Sequence, residues 1–169
     1  MRSLTILGVD PGLRHTGWGV ISRRGNQLSL RAFGVISPPT DQDIADRLFY
    51  LVKELETILS QWQPDLAALE ETFVNVNGKT TLQLGFVRGA LLVTMARFGV
   101  RVRDFAPRMV KKSLTGSGAA QKAQVAGMVG VLLGTPPPQS PDACDALAVA
   151  ICGSHEATHQ ATHETASLS

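Results

Sequence analysis

The sequence predicts an α/β sandwich on a mixed five-stranded sheet, three antiparallel strands then two parallel ones, flanked by helices. Three observations predict it. Three apolar, β-prone segments follow one another at the N-terminus with only short turns between them. Beyond them, segments with a helical apolar stripe alternate with two further short strands. With 169 residues, 44% hydrophobic and 18% charged, the chain can build one full core but not two.

Each element has its own justification. Residues 3–9 (SLTILGV) form an uninterrupted apolar run, the pattern of a buried strand. Residues 16–22 and 28–36 are two more strands, joined through Arg24-Gly25-Asn26, which is hairpin chemistry. Pro38-Pro39 ends this meander. Asp41 then caps a helix to about Ser60, with Ile44, Leu48, Leu51, Leu55 and Ile58 on one stripe. Pro64 precedes a fourth strand, LAALE, residues 66–70. FVNVNGKT is a loop, and a helix runs from about Thr80 to Phe98 with Gly85 and Gly89 on one face. Residues 100–105 form a short strand, 107–113 a helical turn, and 121–133 a further helix. Ser140 as N-cap with Pro141 at the first helical position opens a last helix to about Gly153. The small, polar segment 154–169 reads as a disordered tail, leaving 1–153 as the single domain.

Composition excludes several classes. No apolar run is long enough to span a bilayer, and the N-terminus lacks a signal-peptide pattern. Cys144 and Cys152 make no framework for disulfides or zinc. The chain therefore reads as cytoplasmic, with no membrane partner. Its net charge of +2 hides a cluster: Arg97, Arg101, Arg103, Arg108, Lys111, Lys112 and Lys122 stand against Asp104 alone. Such an excess suits a polyanion, or else a solvated basic face.

The acids carry the chemistry. Asp10 ends the first strand and Glu70 the fourth. The strand order makes these two run the same way, so both acids lie on the carboxyl edge, where α/β sheets place their sites. Asp142 and Asp145 are three apart on the last helix and share a face with Val149 and Cys152. An acid in a first helical turn ordinarily complements the helix dipole, which covers Asp142. Asp145, in the second turn of an apolar helix, needs a partner, and no Lys or Arg follows Lys122 in sequence. Alternation along the fourth strand turns one of Glu70 and Glu71 toward that helix without saying which. Four carboxylates with no His or Cys form a hard-oxygen set that favours Mg²⁺ or Mn²⁺. Two such ions about 4 Å apart can serve phosphodiester hydrolysis.

LGVDPGLRHTGWGV, ALEETFVNVN, RMVKKSLTGSGAAQKAQV and PDACDALAVAI resemble, in collinear order over about residues 4–153, the RuvC family of Holliday-junction resolvases. The resemblance implies an RNase H-like fold and a metal-dependent endonuclease that resolves four-way DNA junctions by paired nicks, leaving 5′-phosphate and 3′-hydroxyl ends. It implies Asp10, Glu70, Asp142 and Asp145 as catalytic metal ligands for paired Mg²⁺ or Mn²⁺ ions, which selects Glu70 over Glu71. The family often has glutamine after the catalytic glutamate, so Glu71 is a departure. Lys111 and Lys122 match family lysines that serve DNA binding and catalysis, and Phe73 an aromatic that stacks at the crossover. Asn75, Lys79, Arg108 and Lys112 join them as expected DNA contacts. A homodimer is also implied, with the Gly85/Gly89 face as its candidate interface, and so are the branch-migration proteins RuvA and RuvB as partners.

Other readings are weaker. HEATH, residues 155–159, spells the H-E-x-x-H zinc pattern but lacks an apolar stripe and the extended third-ligand continuation. The opening strand and Asp-Pro-Gly turn also resemble the phosphate loop of actin-like ATPases, a fold that needs two such domains. A nuclease of the same fold that processes ribosomal RNA, and a junction binder without catalysis, complete the alternatives.

Overall fold

The structure is a computed structural model that describes residues 3–71 and 76–166, with 158–166 as backbone. Among these residues five strands form one sheet: β1 (Leu4–Asp10), β2 (Thr16–Arg24), β3 (Gln27–Ile36), β4 (Leu66–Glu70) and β5 (Arg101–Phe105). The order is β3-β2-β1-β4-β5. β1, β2 and β3 pair antiparallel, while β4 and β5 join β1 in parallel. The five-stranded mixed sheet expected from the sequence is therefore the one observed, with the antiparallel meander on one side and the two crossover strands on the other. Gly25, at a φ of 62°, turns β2 into β3 across a two-residue connection.

Among the described residues five helices cover the two faces: α1 (Ile44–Trp62), α2 (Gly78–Arg97), α3 (Pro107–Thr115), α4 (Lys122–Leu133) and α5 (Pro141–Ala166). Strand alternation sorts the core. Leu7, Val9, Val20 and Leu69 pack with Leu51, Leu55 and Leu59 of α1 and Val87, Leu91 and Met95 of α2. Ile6, Ile21, Ala68 and Phe105 face the other way, onto α5, with Val110 of α3 and Val129 of α4 packed outside it. From Ala146 to Cys152 α5 is buried on all sides, which is why its sequence there is apolar all round.

Several boundaries differ from the sequence reading, most of all in α1, α2 and α5. α1 starts after Asp43, not Asp41, and runs on to Trp62. α2 starts at Gly78, because the Asn77 side chain accepts hydrogen bonds from the Lys79 and Thr80 N–H groups. α5 does not stop near Gly153 but continues to Ala166. Tertiary partners hold that extension. Arg23 Nη1 donates to the Ser154 carbonyl at 2.7 Å, Ser113 Oγ lies 2.8 Å from His155 Nδ1, and Arg103 pairs with Glu156 at 3.1 Å. The polar composition from Ser154 onward thus describes a docked helix surface over residues 154–157. His155 and Glu156 of the zinc-like motif are engaged with these neighbours.

Candidate active site

β1 and β4 are adjacent and parallel, with Val9 beside Leu69, so Asp10 and Glu70 end neighbouring strands side by side. Val9 and Leu69 point at α1 and α2. The next residue in each strand points the opposite way, toward α5. This resolves what the pattern alone left open. Glu70 shares the face of Ala68 and Leu66, whereas Glu71 is exposed and its N–H bonds the Phe105 carbonyl at 2.9 Å.

α5 brings the second pair of acids. Ser140 caps it, with its carbonyl accepting from Cys144 N–H at 3.0 Å. Asp142 and Asp145 then fall in the first two turns, directly above the strand ends. That approach depends on two strand glycines. A Cβ on Gly17 would sit 2.0 Å from the Asp142 carbonyl oxygen, and one on Gly8 only 1.9 Å from that of Ala146. Any larger residue would hold the helix away from the sheet.

The four acids line one cavity of about 400 Å³. Lys111, Lys122, Pro107, Val110, Val125 and Ala148 complete its walls. The helices α3, α4 and α5 all contribute residues of their first turns, Pro107, Lys122 and Asp142, so three helix N-termini converge on it. Their partial positive charge favours an anionic occupant beside the acids.

Crowded carboxylates change their own ionisation. Asp10 is pushed up to about 8, first by burial and then by the negative charges of Glu70, Asp145 and Asp142, with a hydrogen bond to Glu70 adding to it. Glu70 is raised as well, chiefly by burial and by Asp145, while its hydrogen bond to Asp10 and the charges of Lys122 and Lys111 pull it partly back. Lys122 Nζ donates to Asp145 Oδ2 at 3.1 Å, and this contact raises the ammonium pKa. Asp145 thus has a cationic partner, supplied across the cavity by α4 and not by its own helix.

Among the described residues no set of three or more His, Cys, Asp or Glu side chains is already closed around a metal-sized point. The donor chemistry nevertheless suits a divalent cation. Oxygen ligands alone surround the cavity, and the raised ionisation of Asp10 and Glu70 is the strain that a bound cation would relieve.

The other expected DNA contacts divide. Lys111 and Lys122 line the cavity. Arg108 and Lys112 are exposed on α3 and Lys79 on the first turn of α2, outside the cavity wall. Phe73 and Asn75 lie outside the described residues. The basic window itself does not form one face. α2 and β5 meet at the end of the sheet opposite Glu70, so Arg97 and Arg101 lie away from the acids, and Arg97 pairs with Glu56 at 3.1 Å. Arg103 is committed to Glu156. Sequence reasoning missed Arg88, whose guanidinium donates to the Glu70 carbonyl at 3.1 Å and bonds Asp104 at 2.6 Å, so it braces the strand end behind the site. Gly85 and Gly89 are exposed, with open space where a Cβ would lie.

Residues 6–153 match the family model described as crossover junction endodeoxyribonuclease RuvC. A protein of that name from Azorhizobium caulinodans is 48% identical over 152 residues, covering 90% of each chain. Another, from Maricaulis maris, is 49% identical over 154 residues, covering 90% of this chain and 92% of its own. Among solved structures, Thermus thermophilus RuvC in complex with a Holliday junction substrate superposes with a TM-score of 0.87 at 30% identity, covering 91% of this chain and 94% of its own.

Proposed function

This chain belongs to the RuvC family of crossover junction endodeoxyribonucleases, and from that premise we propose that it cuts four-way DNA junctions at the cavity formed by Asp10, Glu70, Asp142 and Asp145. It is a metal-dependent nuclease with an RNase H-like fold that acts in recombination and repair of DNA. The observation that carries the placement of its chemistry is the convergence of four carboxylates and two lysines, from five elements, on one cavity.

In this reading Asp10, Glu70, Asp142 and Asp145 hold two Mg²⁺ or Mn²⁺ ions. When bound, such ions activate a water and stabilise charge at the phosphate and the leaving 3′ oxygen. The residues of the chain do the rest. Lys111 and Lys122 hold the scissile phosphate against the acid wall, and Lys122 offsets charge on its leaving side. Val110, Val125 and Ala148 exclude bulk water, which strengthens each of these interactions. The products are a 5′-phosphate and a 3′-hydroxyl.

A junction is two-fold symmetric, and two matching nicks require two sites in that relation, so the working form is a homodimer. RuvA and RuvB, which move the branch point, are its partners, and the cytoplasm, where the chromosome lies, is its place. Among the described residues no helix is long and apolar enough to cross a membrane.

The test is cleavage of labelled four-way junction, duplex and RNA–DNA hybrid in Mg²⁺, Mn²⁺ or EDTA. Junction alone should be nicked, in symmetric pairs, and only with metal. Asp10→Asn and Asp145→Asn should abolish nicking yet bind junction as tightly as the parent, because each removes a negative charge facing phosphate. Normal cleavage by either variant in Mg²⁺ would end the assignment of these acids.

A further inference from the structure

Beside the acid cavity lies a second groove of about 520 Å³, whose walls include Gly12, Arg14, His15, Arg47, Thr80 and Asp142. Asp142 lines both spaces, so they are neighbours across one side chain. Their charge is opposite in kind. The first is walled by four carboxylates. The second has two arginines and a histidine against Asp142 alone.

The groove is built, not a chance gap between mobile side chains. The turn that carries Arg14 and His15 is stapled by Thr16, whose hydroxyl donates to the Gly12 carbonyl at 2.6 Å and accepts from the Gly12 N–H at 3.2 Å. Gly12 is required there, since a Cβ would lie 2.3 Å from the His15 carbonyl oxygen. His15 Nδ1 lies 2.9 Å from Ser37 Oγ, which fixes the ring. Arg47 reaches across from α1 and donates through Nη2 to the Leu13 carbonyl at 3.0 Å.

Arg47 has a donor left over. Its Nε is shielded from solvent and has no hydrogen-bond partner among the described residues. An unpaired buried donor on a charged group is expensive and needs an acceptor. Arg14 and Arg47 stand in the groove wall against Asp142 alone, and this surplus of positive charge selects an anion.

We propose that this groove is a phosphate subsite for the nucleic-acid strand being cut. It takes a backbone phosphate adjacent to the scissile one, bound by the guanidinium groups of Arg47 and Arg14. The inference rests on the nuclease reading above and deepens it. Asp142 then stands between two consecutive phosphates, one handled by the acids and one by the arginines. The strand is fixed on both sides of the bond that breaks. Contact to phosphate carries no sequence information, so the groove contributes register and affinity but no base preference.

The test uses the full-length protein with four-way junction in Ca²⁺ or EDTA, where binding is read without cutting. Junction affinity is measured by fluorescence anisotropy from about 50 to 200 mM salt for the parent, Arg47→Gln and Arg14→Gln. Each variant should bind about tenfold more weakly, with the slope of log K against log salt reduced by about one. The loss should be equal on junctions of different sequence. Arg47 also braces the Leu13 carbonyl, so thermal unfolding is run beside it, and Arg14, exposed and without that duty, carries the test if Arg47→Gln misfolds. Parent affinity and slope in folded Arg14→Gln and Arg47→Gln would overturn the proposal. A parent protein that binds junctions but never nicks them would defeat the nuclease reading, while the salt slopes would still decide the groove.

Discussion

Asp10 is the residue on which the proposed chemistry and the stability of this protein meet. Its carboxyl stands at about 8 in the fold, against an ordinary aspartate value of 3.8. Folding therefore raises its pKa, and the sign follows. Between about pH 4 and pH 8 the folded chain keeps a proton that the unfolded chain releases. Stability without metal must then fall as pH rises across that window, by roughly 1 kcal/mol per pH unit, and level off above it. Thermal melts in EDTA at pH 5 and pH 8 should show a clear drop for the parent and a flatter response for Asp10→Asn, which is the more stable of the two at pH 8. Adding Mg²⁺ at pH 8 should raise the parent's melting temperature and leave Asp10→Asn much less affected. A parent melting curve independent of pH in EDTA would mean the acids do not crowd one another as described. Asp10 and an acid at the end of the fourth strand were legible in the sequence because an acid at the end of an apolar strand is unusual and the topology puts both ends together; the choice of Glu70 over Glu71 came from the family resemblance, since alternation alone left it open. Arg88 was not legible, because its partners, the Glu70 carbonyl and Asp104, are joined to it only by the packing of α2 against β5.

The element that builds the site is α5, and its depth is set by residues that carry no chemistry at all. Gly8 and Gly17 hold a space that Ala146 and Asp142 backbone oxygens fill. Gly17→Ala should lift the first turn of α5 and cost about 1–3 kcal/mol, lowering the melting temperature by roughly 2–10 °C. Nicking should suffer more than folding, because Asp142 and Asp145 shift relative to Asp10 and Glu70. Gly127→Ala is the control: it lies exposed within α4 with nothing near its Cβ, and should keep activity and gain slightly in stability. Equal behaviour of the two variants would show that helix depth does not matter. The elements themselves were largely readable, since apolar periodicity and the Ser140-Pro141 start are local signals. The end of α5 was not. Gly153-Ser154 followed by polar residues looks like a stop, yet Gly153 packs against Ala68, and Ser154, His155 and Glu156 find partners on β2, α3 and β5. Tertiary contact overrides local preference there.

At the scale of the molecule, the sheet order decides what linear charge density could not. The basic window between Arg97 and Lys122 spans both ends of β5, so its charges separate, and only its later members lie near the acids. The same crossover leaves α2 with two faces. Val87, Leu91 and Met95 are buried against the sheet. Leu82, Phe86 and Val93 form a second stripe that stays exposed, with Gly89 between Phe86 and Val93 and Gly85 beside it. Phe49 and Tyr50 of α1 are exposed as well. An apolar stripe with a glycine gap suits close packing against a second copy of the same helix, the contact the proposed homodimer would use. Phe86→Glu places a charge in that contact and its symmetry mate opposite it. Sedimentation at micromolar concentration should then show a dimer for the parent and monomer for Phe86→Glu, with the fold retained because Phe86 makes no part of the core. The cavity of each monomer is intact, so single nicks in a junction arm should persist at a reduced rate. Paired nicks within one binding event should disappear, and a supercoiled plasmid bearing an extruded cruciform reports the difference as nicked circle against linear product. A dimeric Phe86→Glu that still linearises the plasmid would move the interface away from α2.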